Sequence, residues 1–258
     1  MRIRKSIKGG IEIEAIYNRR LLPLGSRDRK LLKGWRIKGD GSLRSMGEFN
    51  YCNCIEFVSD VSVGRNRFKK RLEDFRDAII VRSEEKDLKK VLAFNVSCGC
   101  HIHLGLTYSN YIGNFLSVEL VREFRKDFFK GLLKLDVSKR LKDNIKNHYF
   151  RKYAKKTSLR NFKGYSNQRY VEINRLSEFQ MKGLEWRSFN ILGCDNWEDF
   201  IKVIMYGYDC FESLVKKRIN GYVDRRQVFK VKNEIVGKEI KEVVEIPIEM
   251  EKEIIENV

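Results

Sequence analysis

Hydrophobic and polar residues alternate along several parts of the chain, and this period of two predicts β-strands. The first predicted strand lies within residues 1–17, where Ile11, Ile13 and Ala15 alternate with Glu12 and Glu14. The same pattern predicts strands at residues 52–61, 91–106, 168–176 and 182–191. The last two should be neighbours in one sheet, because only a short connector separates them.

Apolar residues elsewhere recur at every third or fourth position, and this spacing predicts helices. The predicted helices cover residues 66–82, 117–135 and 138–149. A last long helix follows Asp195 or Asn196, either of which could cap it. Residues 21–48 are rich in glycine and should be mostly loop with short strands.

These elements predict an α+β fold in which a mainly antiparallel sheet has helices packed on one face. No internal repeat and no linker rich in proline or serine divides the sequence, so residues 1–220 are predicted to form one domain. The helical pattern weakens beyond Gly221. Residues 221–258 are predicted to be a peripheral extension, whose acidic end at residues 234–258 is either a strand and helix or partly mobile.

The chain is strongly basic. It has 53 Lys and Arg against 35 Asp and Glu, a net charge of +18 and an isoelectric point near 9.6. This charge favours an anionic partner, such as nucleic acid, an acidic polymer or a nucleoside triphosphate. The basic N-terminus lacks a following apolar segment, and no apolar stretch has the length of a membrane span. We therefore expect a soluble, cytoplasmic protein without membrane contact.

The six cysteines include the pairs Cys52/Cys54 and Cys98/Cys100. Four thiolates could bind zinc, but a spacing of one residue lacks the turn of a zinc knuckle. Cysteine within a strand is more often a small buried hydrophobic residue, and disulfide scaffolds belong to shorter secreted domains. We interpret both pairs as core residues.

Charged and imidazole side chains occur at period two within these apolar strands, so each pair should share one sheet face. The candidates are Glu12 with Glu14, His101 with His103, Glu185 with Arg187, and the single Glu56. Each taken alone could be a solvated sheet face or a structural ion pair. A curved sheet that collects them all would offer carboxylates and imidazole to Mg²⁺ or Mn²⁺, and an arginine to phosphoryl oxygens.

Several segments, in this order along the chain, resemble the amidoligase family, whose members are carboxylate–amine ligases of glutamine synthetase-like fold. The segments are Gly-Ile-Glu-Ile-Glu at 10–14, Trp35 with Asp-Gly-Ser-Leu at 40–43, Ile-Glu-Phe-Val-Ser at 55–59, Cys-Gly-Cys-His-Ile-His-Leu-Gly at 98–105, Arg-Tyr at 169–170 with Asn174, and Leu-Glu-Trp-Arg-Ser-Phe-Asn at 184–190. The resemblance covers about residues 8–195. It implies the curved sheet of glutamine synthetase.

The resemblance also implies a role for each matching residue. Metal-binding positions of the superfamily fall on Glu12, Glu14, Glu56, His101 and Glu185. Positions that contact ATP phosphates fall on His103 and Arg187, and Arg169 is expected to help balance the phosphate charge. Asp40 resembles an aspartate that helps deprotonate the amine, although its loop here follows the Glu-x-Glu strand instead of preceding it. Cys100 stands where the related motif usually has an aliphatic residue.

The activity implied by this resemblance is ATP-dependent joining of a carboxylate to an amine. The carboxylate is activated as an acyl phosphate, and the amine then captures it as an amide or peptide bond. ATP and Mg²⁺ or Mn²⁺ are the expected cofactors. The expected partners are a carboxylate substrate and an amine substrate, among which a peptide or protein could be included.

Two other functions compete with this one. Residues 146–170 combine basic and aromatic residues with no Asp or Glu, a composition that suits single-stranded nucleic acid. The same composition suits a solvated basic loop beside an ATP pocket, which we prefer. Residues 32–42 faintly resemble the acidic motif of a homing endonuclease. Trp35, Arg36 and Lys38 would obstruct the close helix packing of those enzymes, and no second copy of the motif follows.

Overall fold

The computed structural model describes residues 7–18, 26–40, 53–81, 92–93, 98–106, 118–149, 173–178, 181–189 and 196–235. The chain divides into two compact units, Met1–Lys216 and Lys217–Val258. In the second unit, the described residues 217–235 are helical. None of the helices in the described ranges combines the length and the apolar content that crossing a membrane requires.

The first unit contains a sheet and helices that pack on it, including residues 197–216 of the last helix. The strands are β1 (Ile7–Tyr17), β2 (Trp35–Gly39), β3 (Asn53–Ser59), β4 (Ser62–Val63), β5 (Leu92–Ala93), β6 (Cys100–Leu106), β7 (Ile173–Glu178) and β8 (Met181–Phe189). The helices are α1 (Ser26–Leu31), α2 (Arg65–Phe75), α3 (Val118–Leu132), α4 (Lys139–Tyr149) and α5 (Trp197–Ile235), and α2 continues as a π-helical turn over Arg76–Ile80.

The eight-stranded sheet has the order β2-β3-β1-β6-β8-β7, and β4 and β5 also pair with β1. All of these pairings are antiparallel. The predicted mixed fold with a mainly antiparallel sheet is therefore confirmed. The predicted adjacency of the two strands that follow residue 168 is confirmed as well, since β7 pairs with β8.

Two local predictions were wrong. Residues 91–106 were predicted as one strand, but β5 and β6 pair with β1 in different registers and are separate strands. The short helix α1 was not predicted, because its sequence Ser-Arg-Asp-Arg-Lys-Leu has no apolar spacing. The predicted helix cap is confirmed at Asn196, whose Oδ1 accepts a hydrogen bond from the backbone N–H of Glu198 at 2.8 Å.

The hydrophobic core lies on one face of the sheet, against the helices. Ile13 of β1 lies between Phe57 of β3 and Cys100 of β6, and all three are fully buried. The ring of Phe57 contacts Phe75 of α2, with ring centroids 5.1 Å apart. Because side chains alternate along a strand, the residues between these core positions point to the opposite face.

The core continues under β8, where Trp186 contacts Phe124 and Phe128 of α3 with ring centroids 5.0 and 4.3 Å apart. Helix α5 packs there too, because Gly207 leaves no side chain between its backbone and the Trp186 ring. Trp186 stands between Glu185 and Arg187 in sequence. Its burial therefore holds both neighbours on the face away from the helices.

Candidate metal centre

The strand register brings the predicted polar residues onto one face of the sheet. Glu12 lies opposite His101, and Glu14 lies opposite Glu56. On the other side of β6, His103 lies opposite Glu185 of β8. The prediction that these residues share a sheet face is confirmed, and that face is the one opposite the hydrophobic core.

The side chains of this face lie within a few ångströms of one another. His101 Nδ1 is 3.2 Å from Glu12 Oε2 and 3.7 Å from Glu185 Oε1. His103 Nε2 is 3.7 Å from Glu12 Oε1 and 3.8 Å from Glu185 Oε1. Each imidazole therefore lies within 3.8 Å of both the Glu12 and the Glu185 carboxylate.

The cluster is largely shielded from solvent. Glu14 and Glu185 are each 9% exposed and His103 is 7% exposed, and the side chains of Glu12 and His101 are 18% and 13% exposed. Burying carboxylates together is unfavourable unless a counter-charge compensates them. Among the described residues, the two imidazoles and Arg187 lie beside these carboxylates and can supply that counter-charge.

Among the described residues, two groups of three are close enough together to hold a cation. One consists of Glu12, Glu56 and His101, and the other of Glu12, His103 and Glu185. Within each group, one ligand atom per residue lies within 4.8 Å of the others, a spacing that a single ion with 2.0–2.6 Å bonds can bridge. Carboxylate oxygens with one imidazole suit Mg²⁺ or Mn²⁺. Glu12 is common to both groups.

The pKa values show how the cluster distributes its charge. Burial raises the pKa of Glu56 to about 7, and the nearby Glu12 carboxylate adds to that rise. Burial also acts to raise the pKa of Glu12, but the hydrogen bond from His101 and the charges of His103 and His101 outweigh it and lower that pKa. Glu12 is thus ionised near neutral pH, whereas Glu56 is about half protonated there and would lose that proton if it bound a cation.

Glu56 should make the stability of the cation-free protein depend on pH. Its folded pKa of about 7 lies above the ordinary value of 4.5, so the folded state binds this proton more tightly than the unfolded state. The free energy of unfolding should therefore fall as the pH rises from about 5 to about 7.5, and Glu56→Gln should remove this part of the fall. Urea denaturation in the presence of a chelator measures it. An identical pH slope in both proteins would contradict the shift.

Arg187 lies beside the cluster at an irregularity in β8. Cys100 pairs with Phe189 and Ile102 with Trp186, so β8 has Arg187 and Ser188 where β6 has His101 alone. Such a bulge re-aims side chains. Arg187 Nη2 is 2.7 Å from Glu185 Oε1. Burial acts to raise the pKa of Glu185, but the adjacent imidazole of His103 and the hydrogen bond and charge of Arg187 outweigh it and hold that pKa far below its ordinary value.

Asp40 lies at the end of β2, outside both candidate cation groups. Its backbone N–H donates to the carbonyl oxygen of Cys54 at 2.9 Å, which places it two residues along β3 from Glu56. Burial and the charge of Asp40 raise the pKa of the Cys54 thiol. Arg169, residues 41–42 of the predicted aspartate loop and residues 150–170 of the basic segment lie outside the described residues.

The sequence interpretation missed Lys38, which pairs with Glu56 from the edge strand β2. Lys38 is exposed, and its positive charge acts to lower the pKa of Glu56 against the effect of burial. A signal was present, since Arg36 and Lys38 also stand at period two.

The cysteines of the predicted pair at the start of β6 lie in the core. Cys98 and Cys100 are 1% and 0% exposed, and neither belongs to a candidate cation group among the described residues. Their interpretation as core residues agrees with this burial. Cys54 is half-buried, and Cys52 lies outside the described residues.

The sheet face therefore offers ionised carboxylates, two imidazoles and an arginine within a shielded cluster. No protein-family model matches this sequence, and a comparison with curated proteins finds no match.

Proposed function

We propose that this chain is an ATP- and divalent cation-dependent carboxylate–amine ligase, with a catalytic sheet of glutamine synthetase type. The observation that carries the proposal is the shared position of Glu12 in two carboxylate–histidine groups on the polar face of an antiparallel sheet. The proposal also rests on the resemblance of the sequence to amidoligases.

The donor set fits Mg²⁺ or Mn²⁺. Glu12, Glu56 and His101 would hold one cation, and Glu12, His103 and Glu185 form the second group that could do so. A bound divalent cation would neutralise charge on the phosphates of ATP and favour phosphoryl transfer. His103 was expected to contact phosphate from the resemblance, and its place in the second group makes it a candidate cation ligand as well.

The reaction joins two half-reactions. In the first, a substrate carboxylate oxygen attacks the γ-phosphorus of ATP. The bond from that phosphorus to the β,γ-bridging oxygen breaks, so ADP departs and the substrate carboxylate becomes an acyl phosphate. Arg187, together with Arg169, would balance the charge on the transferred phosphoryl group. In the second, the amine attacks the acyl carbon and inorganic phosphate leaves. Asp40 is the proposed acceptor of the amine proton.

A hydroxamate assay tests this proposal. Hydroxylamine should replace the amine, so incubation with ATP, Mg²⁺ and a suitable carboxylate should give hydroxamate, ADP and phosphate in equal amounts. A panel of amino acids, dicarboxylates and short peptides would identify the carboxylate class. Reactions without ATP and reactions with excess chelator are the controls.

A different outcome would favour the nucleic-acid alternative. Neither ADP nor hydroxamate would form, and the protein would bind single-stranded DNA or RNA near physiological salt. That binding should be lost when Lys152, Lys155 and Lys156 are replaced, because phosphate contacts dominate such affinity.

A further inference from the structure

The pairing of β1 is interrupted beside His101. Ile16 of β1 pairs with Ala93 of β5, and Ile13 pairs with Cys100 of β6. Between these pairs β1 has two residues, Glu14 and Ala15, whereas the segment that joins β5 to β6 has six, residues 94–99. The regular ladder cannot continue through this point, so the backbone groups next to His101 need other partners.

Glu14 supplies both partners of Gly99. The backbone N–H of Glu14 donates to the carbonyl oxygen of Gly99 at 3.0 Å. In return, the backbone N–H of Gly99 donates to Oε2 of the Glu14 side chain at 2.6 Å. The carboxylate therefore takes the place that a strand carbonyl would occupy in an unbroken ladder. We call these two hydrogen bonds the Glu14–Gly99 clamp.

The clamp contacts His101 closely. A Cβ atom on Gly99 would lie 3.1 Å from His101 Nε2 and 3.2 Å from Glu14 Oε2, which shows how tightly the three groups pack. Glu14 Oε1 is 3.7 Å from His101 Nε2, whereas His101 Nδ1 faces Glu12 at 3.2 Å. The two ring nitrogens of His101 thus face different carboxylates.

His101 lies between two irregularities of the sheet. It pairs in register with Glu12 of β1, but that ladder ends one residue before it, at Cys100, and on the other side the β8 bulge lies opposite it. Side-chain contacts can therefore contribute to fixing its imidazole. Glu14 is absent from both candidate cation groups found among the described residues.

We propose that Glu14 is a positioning residue, whose carboxylate fastens Gly99 to β1 and orients His101 with Nδ1 toward Glu12, and that it does not bind the cation itself. This differs from the metal-ligand role that the resemblance implies for Glu14. The cation site is part of the proposed function, whereas the contacts between Glu14, Gly99 and His101 do not depend on that function. A group that packs against the outer nitrogen of a ligating histidine helps to hold the ring in one orientation.

Mn²⁺ titration followed by electron paramagnetic resonance separates the two roles. In Glu14→Gln the amide oxygen can still accept from Gly99, so the Mn²⁺ affinity should stay within about fivefold of the wild-type value. Glu14→Ala removes the acceptor and should weaken binding by about 10–100-fold, as loss of a group that orients a ligand does. Glu14→Asp keeps the charge but is too short to reach Gly99, and it should behave like Glu14→Ala. It also serves if the alanine variant does not fold.

A ligand role predicts a different order. Glu14→Gln would then lose as much affinity as Glu12→Gln, and this result would overturn the proposal. Unchanged affinity in all three Glu14 variants would overturn it as well. If the wild-type protein itself binds no Mn²⁺, the proposed function fails, and the clamp is judged by NMR.

The NMR measurements are amide hydrogen exchange at Gly99 and the ¹⁵N shifts of the His101 ring. Glu14→Asp should speed the exchange at Gly99 at least tenfold and move the ring shifts, and Glu14→Gln should restore both. If Glu14→Asp leaves both unchanged, Glu14 does not position His101.

Discussion

Replacing Glu12 by Gln should lower Mn²⁺ affinity and hydroxamate formation by more than about 100-fold while the fold is kept. Glu12 is the one residue common to both candidate cation groups in the described part of the chain. It is ionised in the folded protein, since its pKa is lowered by the hydrogen bond from His101 and the two imidazole charges against the effect of burial. Glutamine has the same size and can accept the same hydrogen bond, but it lacks the charge that binds a cation.

Glu73→Gln is the matched control for this substitution. Glu73 lies on α2, is half-buried, and pairs at 2.9 Å with the exposed Lys69 in a surface i,i+4 ion pair, a kind that contributes little to stability. Calorimetry and the hydroxamate assay should give wild-type values for it. Should Glu12→Gln bind Mn²⁺ as tightly as Glu73→Gln does, the shared residue of the cluster would not be a ligand, and the proposed cation site would be wrong.

The face on which the polar residues lie was predictable from the sequence, whereas their distances were not. A period of two fixes which side chains share a face, and it placed Glu12, His101 and Glu185 correctly. Their separations depend on pairing between strands remote in sequence, such as those of Glu12 and His101, which are 89 positions apart. No local pattern carries that register.

The interruption of β1 pairing shows the same limit in the fold. Residues 91–106 alternate well enough to read as one strand, because alternation records the sheet face and not the partner's register. The jump between β5 and β6 becomes visible only when both are aligned with β1. The β8 bulge at Arg187 is likewise defined by its pairing with β6. Both irregularities lie beside His101, so the local pattern fails where the site is built.

Replacing Arg187 by Ala should depress hydroxamate formation by about 10–100-fold, because ionic hydrogen bonds contribute about 1.5–3 kcal/mol and each 1.4 kcal/mol is a factor of ten. Arg187 lies 2.7 Å from Glu185 Oε1, so it can balance charge at the edge of the candidate cation site. Lysine keeps the charge but not the planar fork of donors, and Arg187→Lys should retain intermediate activity. Initial rates at saturating ATP measure the loss.

The same substitution also leaves the Glu185 carboxylate, which is 9% exposed, without the arginine, so a loss of stability could imitate a loss of catalysis. Comparing the double variant Glu185→Gln/Arg187→Ala with Glu185→Gln alone separates the effect of Arg187 on catalysis from its effect on stability. If Arg187 serves the phosphoryl group, the double variant should match the stability of Glu185→Gln and still be about 10–100-fold less active. Equal activity in these two proteins, together with a low melting temperature for Arg187→Ala, would show that Glu185 and Arg187 form a structural pair. Another positively charged side chain would then have to balance the phosphoryl charge. Lys38, which is exposed beside Glu56, would be the next residue to replace.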